Sequence, residues 1–123
     1  LGDYARTIVG PVISERCKPE LRNHTIETAG ILNKAGVPMC ICTDHPVVPE
    51  QYLPLSAGLA VRGGLDRNEA LKAITIYPAQ ITGIADRVGS IEVGKDADIV
   101  IFSGDPLSVC DTPDMVIVNG TVI

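Results

Sequence analysis

The sequence predicts an α/β fold whose last third is a small antiparallel β unit, and three observations lead to this prediction. Two apolar runs, Thr7 to Ile13 and Val37 to Thr43, enclose an amphipathic helical stretch from Thr25 to Ala35. Helical spacing then continues to about residue 85, where short β-branched runs begin. We therefore expect two parts, residues 1–85 and residues 86–123.

The first part is expected to contain two neighbouring parallel strands. The run from Val37 to Thr43 is almost uninterruptedly apolar, which is typical of a strand covered on both faces. A strand, a helix and a second strand predict a right-handed crossover, and Gly36 is the expected stop of the helix between them. Further helices are expected from Tyr52 to Arg62 and from Asp66 to Ile76.

Local signals give the ends of the later elements. Asp66 and Glu69 have the spacing of a capping box, and a last short helix is expected between Pro78 and Gly83. Asn119-Gly120 is the strongest hairpin signal in the chain, and Asp98, beside a turn, is interpreted as a structural aspartate that binds backbone amides. The expected strands of the β unit are Ser90 to Val93, Asp98 to Phe102, Met115 to Val118 and Thr121 to Ile123.

Composition excludes several classes of partner. The chain is 46% hydrophobic with a net charge of -5 and has no basic run, so nucleic acid is not expected as a partner. Its apolar stretches fall far short of the roughly 20 residues that cross a bilayer, so no membrane is expected either, and we predict a cytoplasmic protein. No Cys-x-x-Cys pair occurs, and free thiols are expected at Cys17, Cys40, Cys42 and Cys110.

Asp44 and His45 are the candidate site residues because they directly follow the second predicted strand. Ligands and catalytic groups collect at the carboxyl ends of parallel strands, where loops surround an open crevice. The competing interpretation is that Asp44 only caps the turn that leads into Pro46. The other histidine, His24, lies before a helix, where a solvent-facing or capping role is favoured over a place beside Asp44 and His45 in a three-ligand zinc site.

Four segments in combination carry a family resemblance: Ala35–Pro46, Glu69–Thr75 with Pro78-Ala79, Gly89–Val100 and Val116–Ile123. Together they resemble the amidohydrolase superfamily, especially its imidazolonepropionase-like group. The first, with its Thr43-Asp44 ending, is similar to the eighth strand of the family's barrel, and the second resembles the helix after the barrel. The third resembles the signature of glycines and an Ala-Asp pair that leads the chain back into the family's β-sandwich. The fourth resembles the closing strand of that sandwich.

The resemblance implies both a fold and a site. Residues 1–85 would be the last strand–helix units of an incomplete TIM barrel, and residues 86–123 a portion of an antiparallel β-sandwich. Asp44 would be a metal ligand and the catalytic proton acceptor, and His45 would line the substrate side. The implied cofactor is a divalent metal, zinc or iron, in the parent protein, with none bound by this chain.

The sequence also departs from the family pattern. The family's His-x-His pair and its ligands on the fourth to sixth strands have no counterpart, since His24 and His45 are the only histidines. We therefore expect the C-terminal fragment of a hydrolase that cleaves C–N bonds in a cyclic amide or related small molecule, the fragment itself being inactive. The alternative is a structural or self-associating module that binds no metal. Two strands with open edges also predict a homo-oligomer.

Overall fold

The computed structural model describes residues 6–16 and 18–123, which form two small sheets and four α-helices. Single 3-10 turns, at Pro19–Leu21 and Glu50–Tyr52, lead towards the first and second helices. The elements in chain order are β1 (Thr7–Val9), α1 (Thr28–Lys34), β2 (Met39–Ile41), α2 (Leu53–Arg62), α3 (Arg67–Ala73), α4 (Ile76–Thr82), β3 (Ile99–Ile101), β4 (Met115–Val118) and β5 (Thr121–Val122).

The strands β1 and β2 pair in parallel, as the sequence predicts. Ile8 lies opposite Cys40, and the amide of Cys42 extends the ladder by donating to the carbonyl of Val9 at 2.9 Å. The first strand is shorter than the predicted Thr7 to Ile13, because Pro11 has no N–H to donate to a ladder. Gly10 lets the strand ends approach closely, since a Cβ there would overlap the carbonyl oxygen of Cys42.

The helices end close to where the sequence predicts. Gly36 and Gly83 follow α1 and α4 with φ angles of +70° and +78°, the left-handed conformation that glycine supplies at helix ends. Asp66 caps α3 by accepting hydrogen bonds from the amides of Asn68 and Glu69. The reciprocal half of the predicted capping box is absent among the described residues, because the Glu69 carboxylate binds Lys72 and Tyr77 instead.

The core is aliphatic and lies between β2 and the helices. Met39 and Ile41 pack against buried alanines of α1, α2 and α3, and Leu107 reaches this cluster from beyond the predicted boundary at residue 85. Arg67 on α3 also forms an ion pair with Asp105 at 2.6 Å. The division into residues 1–85 and 86–123 stays a prediction. In the described part of the chain, no helix has the length and apolarity needed to cross a membrane.

The small sheet has the order β3-β4-β5 and is antiparallel throughout. Asn119 and Gly120 have φ angles of 48° and 77°, which is the backbone that a tight hairpin turn requires, so the predicted hairpin is confirmed. The predicted strand from Ser90 to Val93 is wrong. Ile91 and Val93 are exposed and pair with no described strand, and Ser90 instead accepts a hydrogen bond from Lys95 across a turn.

Candidate functional site

Asp44 lies just beyond the carboxyl end of β2, where the chain leaves the sheet. Its side chain is exposed, and among residues 6–16 and 18–123 its carboxylate accepts no hydrogen bond. The residue has a φ of 56°, a left-handed conformation that aspartate and asparagine tolerate better than most other side chains. The carboxylate is therefore open to an external cation or substrate.

A tight turn holds the backbone of Asp44 in place. The amide of Val47 donates to the carbonyl of Asp44 at 2.8 Å, closing a turn over residues 44–47. His45 lies inside this turn with an exposed ring. The competing interpretation of Asp44 as a turn residue is thus correct for its backbone, whereas its side chain takes no part in the turn.

Two cavities lie at opposite ends of the parallel pair. The larger, of about 910 Å³, is at the amino ends, where Arg6 precedes β1 and Val37 and Pro38 precede β2. The smaller, of about 680 Å³, is formed by the segments that follow the two strands. Because parallel α/β proteins bind ligands at the carboxyl ends of their strands, we take the smaller cavity as the candidate site in spite of its size.

We call the smaller one the mouth cavity. One of its lining residues, Val47, is hydrogen-bonded to the backbone of Asp44. Sequence reasoning missed this cavity, although the apolar residues in the loops after both strands were a signal for it. Its lining residues are Ile13, Ser14, Glu15, Val47, Val48, Pro49, Tyr52 and Leu55.

His24 does not have the solvent-facing or capping role that its position favours. Its ring is half-buried, and Nε2 donates to the carbonyl of Pro11 at 2.9 Å. Arg16 in turn donates from Nη2 to the carbonyl of His24 at 2.9 Å. The histidine thereby fixes the segment after β1, which leads from Pro11 into the mouth cavity at Ile13.

The described cysteines 40, 42 and 110 are free thiols, as predicted. Burial, with a smaller contribution from the neighbouring Cys42, raises the pKa of the Cys40 thiol. A raised pKa keeps the neutral thiol, which is a poor metal ligand. Cys17 lies outside the described residues.

The described residues do not bring together a complete metal site. Within residues 6–16 and 18–123, no group of three His, Cys, Asp or Glu side chains is arranged to hold an ion. The three-ligand site considered for Asp44, His45 and His24 therefore does not form, because the His24 ring is directed to Pro11. Asp44 and His45 are both exposed, and within the described residues no third side chain completes a metal site with them.

Comparison with known proteins gives a consistent result. The family model described as "Amidohydrolase family" matches residues 8–123. Amidohydrolase tasK of Hapsidospora irregularis is 35% identical over 104 residues, which cover 85% of this chain and 11% of that protein. Imidazolonepropionase of Geobacillus kaustophilus is 46% identical over 72 residues, which cover 56% of this chain and 17% of that protein.

Solved structures agree with the sequence relatives. The crystal structure of an amidohydrolase from Thermotoga maritima MSB8 matches 94% of this chain with a TM-score of 0.89 and 40% identity. The match covers 30% of the Thermotoga chain. This chain therefore spans between 11% and 30% of the length of the three proteins named here.

Proposed function

The chain belongs to the amidohydrolase family, and from this membership we propose that it is the C-terminal segment of a metal-dependent enzyme that hydrolyses C–N bonds. Its substrate would be a cyclic amide or a related small molecule. In this proposal β1 and β2 are the last two strands of a TIM barrel, and the small sheet is part of a β-sandwich. The segment alone would be inactive, because it supplies a single candidate metal ligand.

One observation carries the proposal: the exposed carboxylate of Asp44 follows a buried parallel strand and has no partner among the described residues. Asp66 and Asp98 differ from Asp44, because their carboxylates accept hydrogen bonds from backbone amides and stabilise local structure. Its left-handed backbone is uncommon for a residue other than glycine, and residues held in such conformations cluster at active sites. Such a position is typical of a functional residue.

The carboxyl end of β2 offers one ligand that suits a divalent metal, although one ligand alone does not make a complete site. A carboxylate is a ligand for zinc and for iron, and Asp44 would hold the ion, with the other ligands coming from outside the described residues. When bound, the metal would lower the pKa of a water molecule and so supply a nucleophile near neutral pH.

The roles of this chain's own residues follow from their positions. The Asp44 carboxylate can take a proton from a water molecule and later deliver it to the departing amine, which is general base and then general acid catalysis. The turn that closes on Val47 fixes the backbone of Asp44 for that transfer. His45, exposed in the same turn, would contact the substrate.

The proposal is tested in the full-length protein by comparing wild type with Asp44→Asn. Asparagine tolerates the left-handed backbone, so the change removes the charge without straining the turn. We expect bound metal, measured by elemental analysis, to fall well below one equivalent. We also expect hydrolysis of imidazolonepropionate to drop by roughly a hundredfold or more, the range seen when acid–base groups are lost.

A matched control keeps this test specific. Asp86→Asn changes another exposed aspartate, beside the cavity at the opposite end of the strands, and should leave metal content and rate unchanged. Full metal occupancy in Asp44→Asn would contradict the ligand role. Absence of metal and of hydrolysis in the wild-type full-length protein would favour the second candidate, a structural module.

We also propose a cytoplasmic location. The described thiols at positions 40, 42 and 110 are unpaired, and a reducing compartment keeps cysteines in that state. A shift in mobility after thiol alkylation of protein taken directly from cells would check this. Alkylation that occurs only after reduction would contradict it.

A further inference from the structure

We propose that Gly10 is a positioning residue for Asp44, because the missing side chain at position 10 sets the spacing between the two strand ends that present Asp44. This inference rests on the proposed function, since it treats Asp44 as a metal ligand. It goes further by assigning a role in metal binding to a residue that has no side chain with which to bind a metal.

Gly10 lies directly after β1 and against the end of the β2 ladder. The amide of Cys42 donates to the carbonyl of Val9 at 2.9 Å, which brings Gly10 beside Cys42. A Cβ at position 10 would overlap the carbonyl oxygen of Cys42, and it would lie 2.9 Å from the carbonyl carbon and 2.7 Å from Sγ of that residue. Two of these three atoms are backbone, so they cannot rotate away. Any side chain at position 10 therefore separates the two strand ends.

The β1 side of this contact is firmly held. Val12 is buried in the hydrophobic core, and the carbonyl of Pro11 accepts a hydrogen bond from Nε2 of His24 at 2.9 Å. On the other side, only the buried Thr43 separates Cys42 from the exposed turn of residues 44–47. The displacement that an added Cβ requires is therefore directed from Cys42 towards this turn.

A displacement of the turn matters because Asp44 would move with it. The amide of Val47 donates to the carbonyl of Asp44 at 2.8 Å, so the turn moves as a unit and does not absorb the change. Metal ligands and catalytic groups have to be held within about 0.5 Å of their working positions. Replacing a residue that orients a ligand without touching the metal typically weakens metal binding by about 10- to 100-fold.

The test compares zinc binding by the full-length wild-type protein and by Gly10→Ala. Both are stripped of metal, and the dissociation constant for Zn²⁺ is measured by competition with a chromophoric chelator. We expect Gly10→Ala to raise this dissociation constant by roughly tenfold or more. Cobalt(II) is then bound in place of zinc, because its visible absorption depends on the arrangement of its ligands, and the spectrum of the variant should differ from that of wild type.

Gly63→Ala is the matched control, because both glycines meet the same obstacle. At the end of α2, a Cβ on Gly63 would overlap the carbonyl oxygen of Ile26 at the same separation that a Cβ on Gly10 would have from the carbonyl oxygen of Cys42. Both variants should therefore lose stability in urea, whereas only Gly10→Ala should lose zinc affinity and change the cobalt spectrum. Equal weakening of zinc binding in both variants, or wild-type affinity in Gly10→Ala, would overturn the proposal.

A second pair of variants decides the question if Gly10→Ala does not fold. Because Sγ of Cys42 faces Gly10, Cys42→Val places a bulkier side chain against the same strand end, whereas Cys42→Ala removes the sulfur without pushing the backbone. We expect Cys42→Val to weaken zinc binding severalfold and Cys42→Ala to bind zinc as wild type does. Unchanged binding in Cys42→Val overturns the proposal. Weakened binding in Cys42→Ala also does so, because the thiol and not the spacing would then matter.

These outcomes are distinct from a failure of the proposed function. If Asp44→Asn binds zinc as wild type does, Asp44 is not a ligand and the proposed function is wrong. If Asp44→Asn loses the metal while Gly10→Ala keeps the wild-type affinity and spectrum, only the positioning role of Gly10 is wrong.

Discussion

Among single residues, Asp98 has the clearest structural role because it joins two separate parts of the small sheet. Its carboxylate accepts a hydrogen bond from the amide of Asn119 at 2.8 Å, and the neighbouring Gly120 amide donates to the carbonyl of Ala97 at 3.0 Å. The hairpin between β4 and β5 is thus attached to the start of β3. This aspartate supports a fold and not a reaction, unlike Asp44.

Asp98→Ala should therefore lower the free energy of unfolding by about 1 kcal/mol, the usual net value of one such hydrogen bond. Asp98→Asn should recover most of the loss, because its side-chain oxygen can still accept from the Asn119 amide. Urea denaturation of the two variants beside wild type measures the difference. Equal loss in both variants would show that charge, and not the hydrogen bond, matters at this position.

Single residues differ in how far the sequence alone predicts their roles. The role of Asp98 was predictable, because aspartates next to turns bind nearby amides. Lysine side chains are mostly exposed, yet that of Lys95 is only 11% exposed and its Nζ donates to Ser90. The His24 bond to Pro11 was likewise missed, since it depends on how a loop folds back and no local pattern encodes that.

Among the secondary-structure elements, three helices are connected by Glu69. From α3 it accepts hydrogen bonds from Tyr77 on α4 at 2.7 Å and from Asn33 on α1 at 3.5 Å, and it pairs with Lys72 at 2.8 Å. The hydrogen bonds from Lys72 and then from Tyr77 lower the pKa of the Glu69 carboxyl. The packing of the helices is thus linked to the ionisation of one side chain.

This link predicts a pH-dependent stability. The pKa of Glu69 is lower in the folded state than its ordinary value of 4.5, so folding favours the ionised form. The stabilisation is complete above pH 4.5 and is lost as the pH falls through the lowered pKa. Glu69→Gln should cost about 1 kcal/mol at pH 7, a modest value because Lys72 is half exposed, and the gap from wild type should narrow below pH 4.5.

Denaturation curves between pH 3 and 7 measure this gap, and Glu20→Gln supplies a control. Glu20 is exposed in the turn before α1 and makes no side-chain hydrogen bond to another described residue. Its replacement should leave the pH profile unchanged. A gap between wild type and Glu69→Gln that stays constant from pH 7 to pH 3 would contradict the assignment.

The ends of the helices were predictable, whereas one strand was not. Gly36, Asp66 and Gly83 act through local backbone geometry, and each terminates or caps a helix as the sequence predicts. The stretch from Ser90 to Val93 has strand-forming residues but no described strand to pair with. A strand needs a partner for its backbone hydrogen bonds, so its residues alone cannot establish it.

Considered as a whole, the molecule exposes much apolar surface, and the small sheet carries apolar side chains on both of its faces. In the β3-β4-β5 sheet, Ile117 lies opposite both Ile99 and Val122 on one face, while Val100 and Val116 lie opposite each other on the other face. Both faces are therefore apolar, which is typical of a sheet covered on both sides. Ile91 and Val93 add exposed apolar side chains just before this sheet.

These surfaces predict that the 123-residue chain associates with itself when it is prepared alone. Exposed apolar faces and unpaired strand edges are covered by a second copy when nothing else is available. Sedimentation velocity at increasing concentration should therefore detect a dimer or a larger species. In the double variant Ile91→Lys with Val93→Lys, association should weaken, because two charges would have to be buried in the contact.

Ile31→Lys is the control for this prediction. Ile31 is a 59% exposed isoleucine on α1, away from the small sheet, and its replacement should leave the association constant unchanged. If the control lowers the association constant as much as the double variant does, the contact between the copies does not lie specifically at residues 91 and 93. A compact monomer at every concentration would contradict self-association altogether, and it would mean that the apolar faces of the small sheet are tolerated in water.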